Sequence, residues 1–238
     1  MQSPYILRMC LLSLLVLAPA CGGESRPGPL QHTIDEMFIA KVPLPEKQGV
    51  LQAQQDYQEA RMLQNQVQAE YNDSATELEV AKNEHEQAKL DQKSAESRQK
   101  AAEESGDMNR VNAVARDIRA AKLKADAAGK KVQYIEAHRV YLKKKLLQAE
   151  DEMYAKEARL ELAKARVAKA NNIRPKGFDL ANFERQSEER AKYAQRTKAL
   201  LQREKADADK LRKEWKALQQ EAARARGQGG AGAGGDSP

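Results

Sequence analysis

Residues 94–121 read SAESRQKAAEESGDMNRVNAVARDIRAA, and their centre decides the fold. Glu104-Ser105-Gly106-Asp107 is the only break in a polar, Ala-rich run that extends from about residue 46 to residue 171. Gly106 can take the left-handed conformation that ends a helix, and Asp107 can cap the helix that follows. A chain that stops and restarts within two residues returns alongside itself, as an αα-hairpin does.

The flanking sequence carries the heptads such a hairpin needs. With Val50 as an a position, the first helix has a residues Val50, Tyr57, Gln64, Tyr71, Leu78, His85, Gln92 and Gln99. Its d residues are Ala53, Ala60, Val67, Ser74, Ala81, Ala88, Ala95 and Ala102. In the second helix, a is Val111, Ile118, Ala125, Val132, Arg139, Leu146, Met153, Leu160 and Val167; d is Val114, Ala121, Ala128, Ile135, Leu142, Ala149, Lys156, Ala163 and Ala170. Sixteen of those eighteen positions are apolar, with no skip in register. An unbroken seven-residue period imposes a left-handed supercoil.

Folding at Gly106-Asp107 pairs residues whose numbers sum to 213. Each a then meets a d: Leu78 with Ile135, Tyr71 with Leu142, Ala53 with Leu160. Small residues of one helix face larger ones of the other, which fills a seam without voids. Ser74 opposite Arg139 and Tyr57 opposite Lys156 are the polar exceptions, where long stems can lie on the seam with the charge in water. Charge agrees. Residues 46–105 hold 13 acids and 7 bases, whereas residues 107–171 hold 9 acids and 16 bases. The two helices attract each other and each repels its own copy, which disfavours parallel homodimers of either.

Asn171-Asn172-Ile173-Arg174-Pro175-Lys176-Gly177-Phe178-Asp179 stops the second helix and can start a third. The expected fold class is all-α: a long antiparallel coiled-coil hairpin with a third helix folding back on its base, as helices 46–105, 108–171 and 180–226 of one domain. From Tyr134 onward, b and c positions of the second helix turn apolar (Tyr134, Val140, Tyr141, Leu147, Tyr154, Ala155, Leu162, Ala168). The third helix is expected to cover that stretch, leaving a two-helix arm beyond it. Residues 21–45, with Pro27, Pro29, Pro43 and Pro45, read as a tether, within which Ile34, Met37, Phe38 and Ile39 form an apolar island. That island reads either as a helical turn docked on the base or as a partner-binding peptide. Residues 227–238, half of them glycine, read as a disordered tail.

Composition narrows the function. The 238 residues are 32% charged and 5% aromatic, with three Phe and one Trp, and their mean hydropathy is −0.80. Too little large apolar surface is present to enclose a deep catalytic pocket. His32, His85 and His138 are far apart, and no phosphate loop or nucleophile–base arrangement is present. No catalytic, cofactor-binding or metal residues are assigned. The densest basic patch is Arg139 with Lys143, Lys144 and Lys145, which reads as a solvated face pairing with the acidic helix or as a contact for an anionic envelope polymer or lipid. A pI of 9.2 would fit nucleic acid, but the bases are interleaved with acids rather than set in one stripe.

Residues 1–20 read as an export signal, which argues against nucleic acid: Arg8, an apolar run over 9–17, then Ala18-Pro19-Ala20. It is followed by Cys21-Gly22-Gly23, and Cys21 is the only cysteine after the signal. This arrangement resembles the lipobox of bacterial lipoproteins. Ala20 matches the small residue before the cysteine and Cys21 the acylated one, with Ala18 standing where Leu is commonest. The resemblance covers residues 1–23. It implies removal of residues 1–20, lipidation of Cys21 with diacylglycerol and an amide-linked acyl chain such as palmitate, and anchoring in the cell envelope. Gly22, rather than the Asp that retains enteric lipoproteins at the inner membrane, implies the outer membrane, facing the periplasm. The expected function is a lipid-anchored coiled-coil tether, spacer or adaptor, not an enzyme. Its expected contacts are the membrane through the anchor and a protein partner in the envelope, with no nucleic acid and no small-molecule substrate. The alternatives are a holdase-like periplasmic chaperone and a non-covalent cell-wall-binding lipoprotein.

Overall fold

The computed structural model describes residues 28–230, with side chains to residue 225. The signal sequence, Cys21 and residues 231–238 lie outside the described residues. Helix α1 (Glu36–Ile39) and a 3-10 turn (Leu44–Lys47) precede three long helices, α2 (Gln48–Glu104), α3 (Met108–Ala170) and α4 (Leu180–Gly230). No strand occurs among the described residues. The protein is all-α, and the long helices pack on one another as an antiparallel hairpin with a returning third helix.

Ala, Gln, Glu and Lys favour helix because they lose little rotamer freedom there. Along α2 the exposed face is laced by Gln-to-acid pairs four residues apart. Gln52 donates to Asp56 at 3.0 Å, Gln66 to Glu70 at 3.1 Å and Gln92 to Glu96 at 2.8 Å. Each such pair is worth about 0.2–0.5 kcal/mol, so the length of α2 is sustained locally as well as by its partner. At the tip, Gly106 has φ of 68° and its N–H donates to Glu103 O. Asp107 Oδ1 accepts from Asn109 N at 2.9 Å and Arg110 N at 3.3 Å. At the base, Asn172 takes the left-handed position (φ 56°). Ile173 N donates to Ala168 O at 2.8 Å and Asn172 N to Lys169 O at 3.1 Å, the two bonds of a Schellman ending. Asp179 caps α4, accepting from Ala181 N at 3.1 Å.

The α2–α3 seam follows the expected register. Leu78, Ala81 and Ile135 share one buried cluster with Val132, and Val67 and Leu146 share another with Ala149 and Tyr71. Both polar exceptions are satisfied. Arg139 Nε donates to Ser74 Oγ at 3.2 Å with its guanidinium 5.7 Å over the Tyr71 ring, and Lys156 Nζ donates to Asp56 at 2.9 Å. His85 packs across the seam against Gly129, where an added Cβ would lie 3.0 Å from its Nε2. The glycine inside α3 makes room for that ring.

The placement of α4 differs from the sequence reading in two ways. First, it packs along the c and f positions of α3: Ala127, Ala155, Ala158 and Ala165 are buried, and Tyr134 stacks on Trp215 at 5.5 Å and 11°. Of the expected b positions, Val140 and Tyr154 stay exposed, whereas Leu147 is half-buried and Ala168 is buried in the base cluster. In a seven-residue repeat the c/f direction lies about 150° from the a/d direction. Helices α2 and α4 therefore flank α3 on nearly opposite sides and share no close backbone contact with each other. The three helices form a layer, not a triangular bundle.

Second, α4 runs much farther toward the tip than the expected limit near Tyr134. Lys130 pairs with Glu214 at 3.1 Å, and Arg224 and Ala225 share a groove with Arg116, Arg119 and Leu123. A helix starting beside the end of α3 rises at the same rate per residue, so its length carries it almost the whole way back. The free two-helix arm is consequently short. The tail expectation also shifts, since the backbone of residues 227–230 continues α4 as helix.

Residues 28–45, expected as tether, form with residues 46–47, expected as the start of the first helix, a strap across α3 from α4 to α2. Ile34, Ile39 and Val42 are buried in one cluster with Val50, Leu160 and Phe183, so the apolar island docks on the base. Met37 and Phe38 of the same island point outward.

Candidate functional site

The strap has little regular structure, so its backbone polar groups need side-chain partners. A cluster on α3 and α4 supplies them. Glu161 Oε2 accepts from Ile34 N at 2.6 Å, while its Oε1 accepts from Lys164 Nζ at 2.9 Å. Lys164 also lies 3.7 Å from Glu36. Gln186 Oε1 accepts from Gln31 N at 2.9 Å and His32 N at 3.1 Å, and its Nε2 donates to His32 O at 2.9 Å. Arg190 Nη2 donates to Gly28 O, with the guanidinium 5.2 Å over the Tyr154 ring. Glu161, Lys164 and Arg190 are all buried. Beside them, burial first and Glu161 second push the Glu157 carboxyl above its usual range.

This clamp escaped the sequence reading because its members look like ordinary solvated helix charges. One signal was present: in α4 two successive seam positions, Ser187 and Arg190, are polar between the apolar Phe183 and Ala194. Polar residues at successive seam positions call for a non-helical partner.

The sequence-derived candidates are dispersed. Arg139 is committed to Ser74 and Tyr71, and Lys145 to Glu70 at 2.6 Å, whereas Lys143 is exposed and Lys144 is half-buried on the α4 side. Consecutive helical residues point about 100° apart, so the four do not make one patch. Lys145 belongs to a ladder that runs along one edge of the α2–α3 seam at seven-residue steps. Its rungs are Glu70–Lys145 at 2.6 Å, Glu84–Lys131 at 2.5 Å and Asp91–Lys124 at 2.6 Å. Glu77 and His138 occupy the remaining rung. The charges reverse near the tip, where Arg98 lies 3.9 Å from Asp117. Each pair is worth about 0–1 kcal/mol, so the ladder chooses the register more than it stabilises it. Lys145 holds the Glu70 carboxyl below its usual value.

The three histidines stay apart. His32 lies against Phe183 at 5.8 Å, His85 against Gly129, and His138 between Tyr134 and Tyr141, each 5.6 Å away. Burial lowers the His138 pKa, opposed by Glu77 and reinforced by Arg212 and Lys145. Among the described residues no group of three or more His, Cys, Asp or Glu is placed to hold a metal ion, and no helix is long and apolar enough to cross a membrane. A groove of about 590 Å³ is floored by Ala127 and Ala128 and walled by Trp215 and Ala88. Its charged rim residues Glu84 and Lys124 are held in the ladder. At the tip, residues 103–110 are all exposed, including Met108.

Compared with protein families, with curated proteins and with solved structures, the chain shows no significant similarity to any.

Proposed function

We propose that the protein is a lipid-anchored tether or adaptor of the bacterial cell envelope, with Cys21 acylated at the outer membrane and the hairpin projecting into the periplasm. In this reading it acts by holding a protein partner at a distance rather than by catalysis. The observation that carries the proposal is the clamped strap. Glu161, Gln186 and Arg190 fix the N-terminal segment to the base half of the layer, so tension on an anchor at residue 21 passes directly into α3 and α4. The exposed turn lies at the other end of α2, which is about 86 Å long. A holdase would need a continuous apolar surface near that end, whereas the exposed apolar residues there, Val80, Leu90 and Met108, stand singly.

The test is arm length with the anchor as control. Deleting 96–102 together with 111–117 keeps the pairing sum of 213, spares almost all of the α3–α4 seam and draws the turn about 10 Å toward the base. A tether or adaptor loses its ability to complement the envelope defect of the deletion strain while remaining helical by circular dichroism. Full complementation by the shortened, folded chain rejects the reading. In parallel, Cys21→Ala should release the protein from membranes washed in high salt. A variant that stays bound with unchanged mobility rejects the anchor.

A further inference from the structure

We infer that the strap is itself a membrane-contacting element, with Met37, Phe38 and Leu44 entering the lipid interface of the bilayer that holds Cys21; this rests on the lipid-anchor reading above. Met37 is 79%, Leu44 67% and Phe38 47% exposed, three large apolar side chains within eight residues. On the three long helices, of 57, 63 and 51 residues, the exposed large apolar residues stand mostly singly, and scattered residues of that kind need no explanation. A cluster on a short segment does. Ile34, Ile39 and Val42 bury the strap and Glu161, Gln186 and Arg190 clamp it, whereas Met37, Phe38 and Leu44 stand outside that buried cluster.

Chain length says what covers them. Six residues lie between Cys21 and Gly28, and the seven steps reach at most about 25 Å when fully extended. Gly28 is held by Arg190, so an acylated Cys21 keeps the bilayer within that distance of the strap. The turn at residues 105–107, most of the length of α2 away, is out of range. Lys41 is exposed between Phe38 and Leu44, and Lys47 donates to Ala40 O at 3.2 Å. The exposed acids Asp35, Glu36 and Glu46 balance these two ammonium groups, so the contact rests on the apolar side chains and on chain length rather than on charge. Acyl chains on Cys21 already supply the affinity. The strap contact adds orientation, holding the base against the lipid and the turn away from it.

The test uses the full chain, purified from membranes and reconstituted in phosphatidylethanolamine–phosphatidylglycerol vesicles containing bromine-labelled acyl chains, which quench tryptophan on contact. In a Trp215→Phe background, single tryptophans are introduced as Phe38→Trp, Leu44→Trp or Met108→Trp, with folding checked by circular dichroism. Quenching and a blue shift at 38 and 44, but not at 108, support the contact. An acylated chain with unquenched positions 38 and 44 overturns it and leaves the anchor standing, as it would if a protein covered the strap. Equal quenching at 108 also overturns it, because the molecule then lies flat. Intact mass reads acylation separately. Quenching without acyl groups removes the anchor but keeps the strap contact, and absence of both rejects both.

Discussion

At the scale of single residues, the seam is tuned by pairs rather than by individual side chains. Gly129 costs α3 about 0.5–1 kcal/mol relative to alanine, as any mid-helix glycine does. It is held there by the His85 ring across the seam. In a His85→Ala background, Gly129→Ala should stabilise the protein by about that amount in urea unfolding, and with His85 present it should gain less. Equal gains in both backgrounds would show that the contact does not matter. His138 should produce a pH dependence of its own. Its folded pKa lies below the usual 6.5, chiefly through burial between Tyr134 and Tyr141. The unfolded chain therefore binds the proton first, and stability present above about pH 6.5 is lost as pH falls through the lower folded value. The Glu70 contribution is lost in a separate, more acidic window, below about pH 4.5, because Lys145 depresses that carboxyl in the folded state. Melting temperature should thus fall in two steps on acidification, and His138→Phe should remove only the first.

At the scale of elements, one number organises α2 and α3, and it was legible before any coordinates. The alanine row of α2 and the Leu/Ile/Val row of α3 fit only when residue numbers sum to 213, and Arg139 on Ser74 marks that register in the structure. Leu78→Cys with Ile135→Cys should form a disulfide readily in a chain carrying Cys10→Ser and Cys21→Ser. Leu78→Cys with Leu142→Cys should not, because seven residues displace the partner by about 10 Å along the axis. Comparable yields from both pairs would mean a sliding hairpin. The strap was less legible. Its prolines and glycines read as tether because local composition reports only what a segment cannot do alone. Its docking depends on Glu161, Lys164, Gln186 and Arg190, residues more than a hundred positions away that each look like surface charge.

For the whole molecule, the layer arrangement makes a specific claim about coupling. Helix α3 is shared, whereas α2 and α4 share no close backbone contact and meet in one buried cluster only at the base, through the strap. Leu78→Ala in the α2 seam and Leu211→Ala in α4 should therefore destabilise additively, within about 0.5 kcal/mol, when the double variant is unfolded in denaturant. In a triangular bundle the two would share a core, and a coupling of 1 kcal/mol or more would show that the helices close on each other.

What the sequence alone determined about this protein is local or pairwise: two helix stops at Gly106 and Asn172, a seven-residue period, and complementary size and charge between α2 and α3. These follow from periodicity, and a heptad seam reports its own partner. The tertiary structure alone decided which second face of α3 receives α4, how far α4 reaches, and that residues 28–47 close over the base. Apolar b and c positions suggested one stripe, but α2 already occupied the a/d side. Burying the c/f row places α4 on the opposite flank, beside the small residues Ala158 and Ala165, where helices approach most closely. That choice is a competition between faces of one helix for space around it, which no single stretch of sequence encodes.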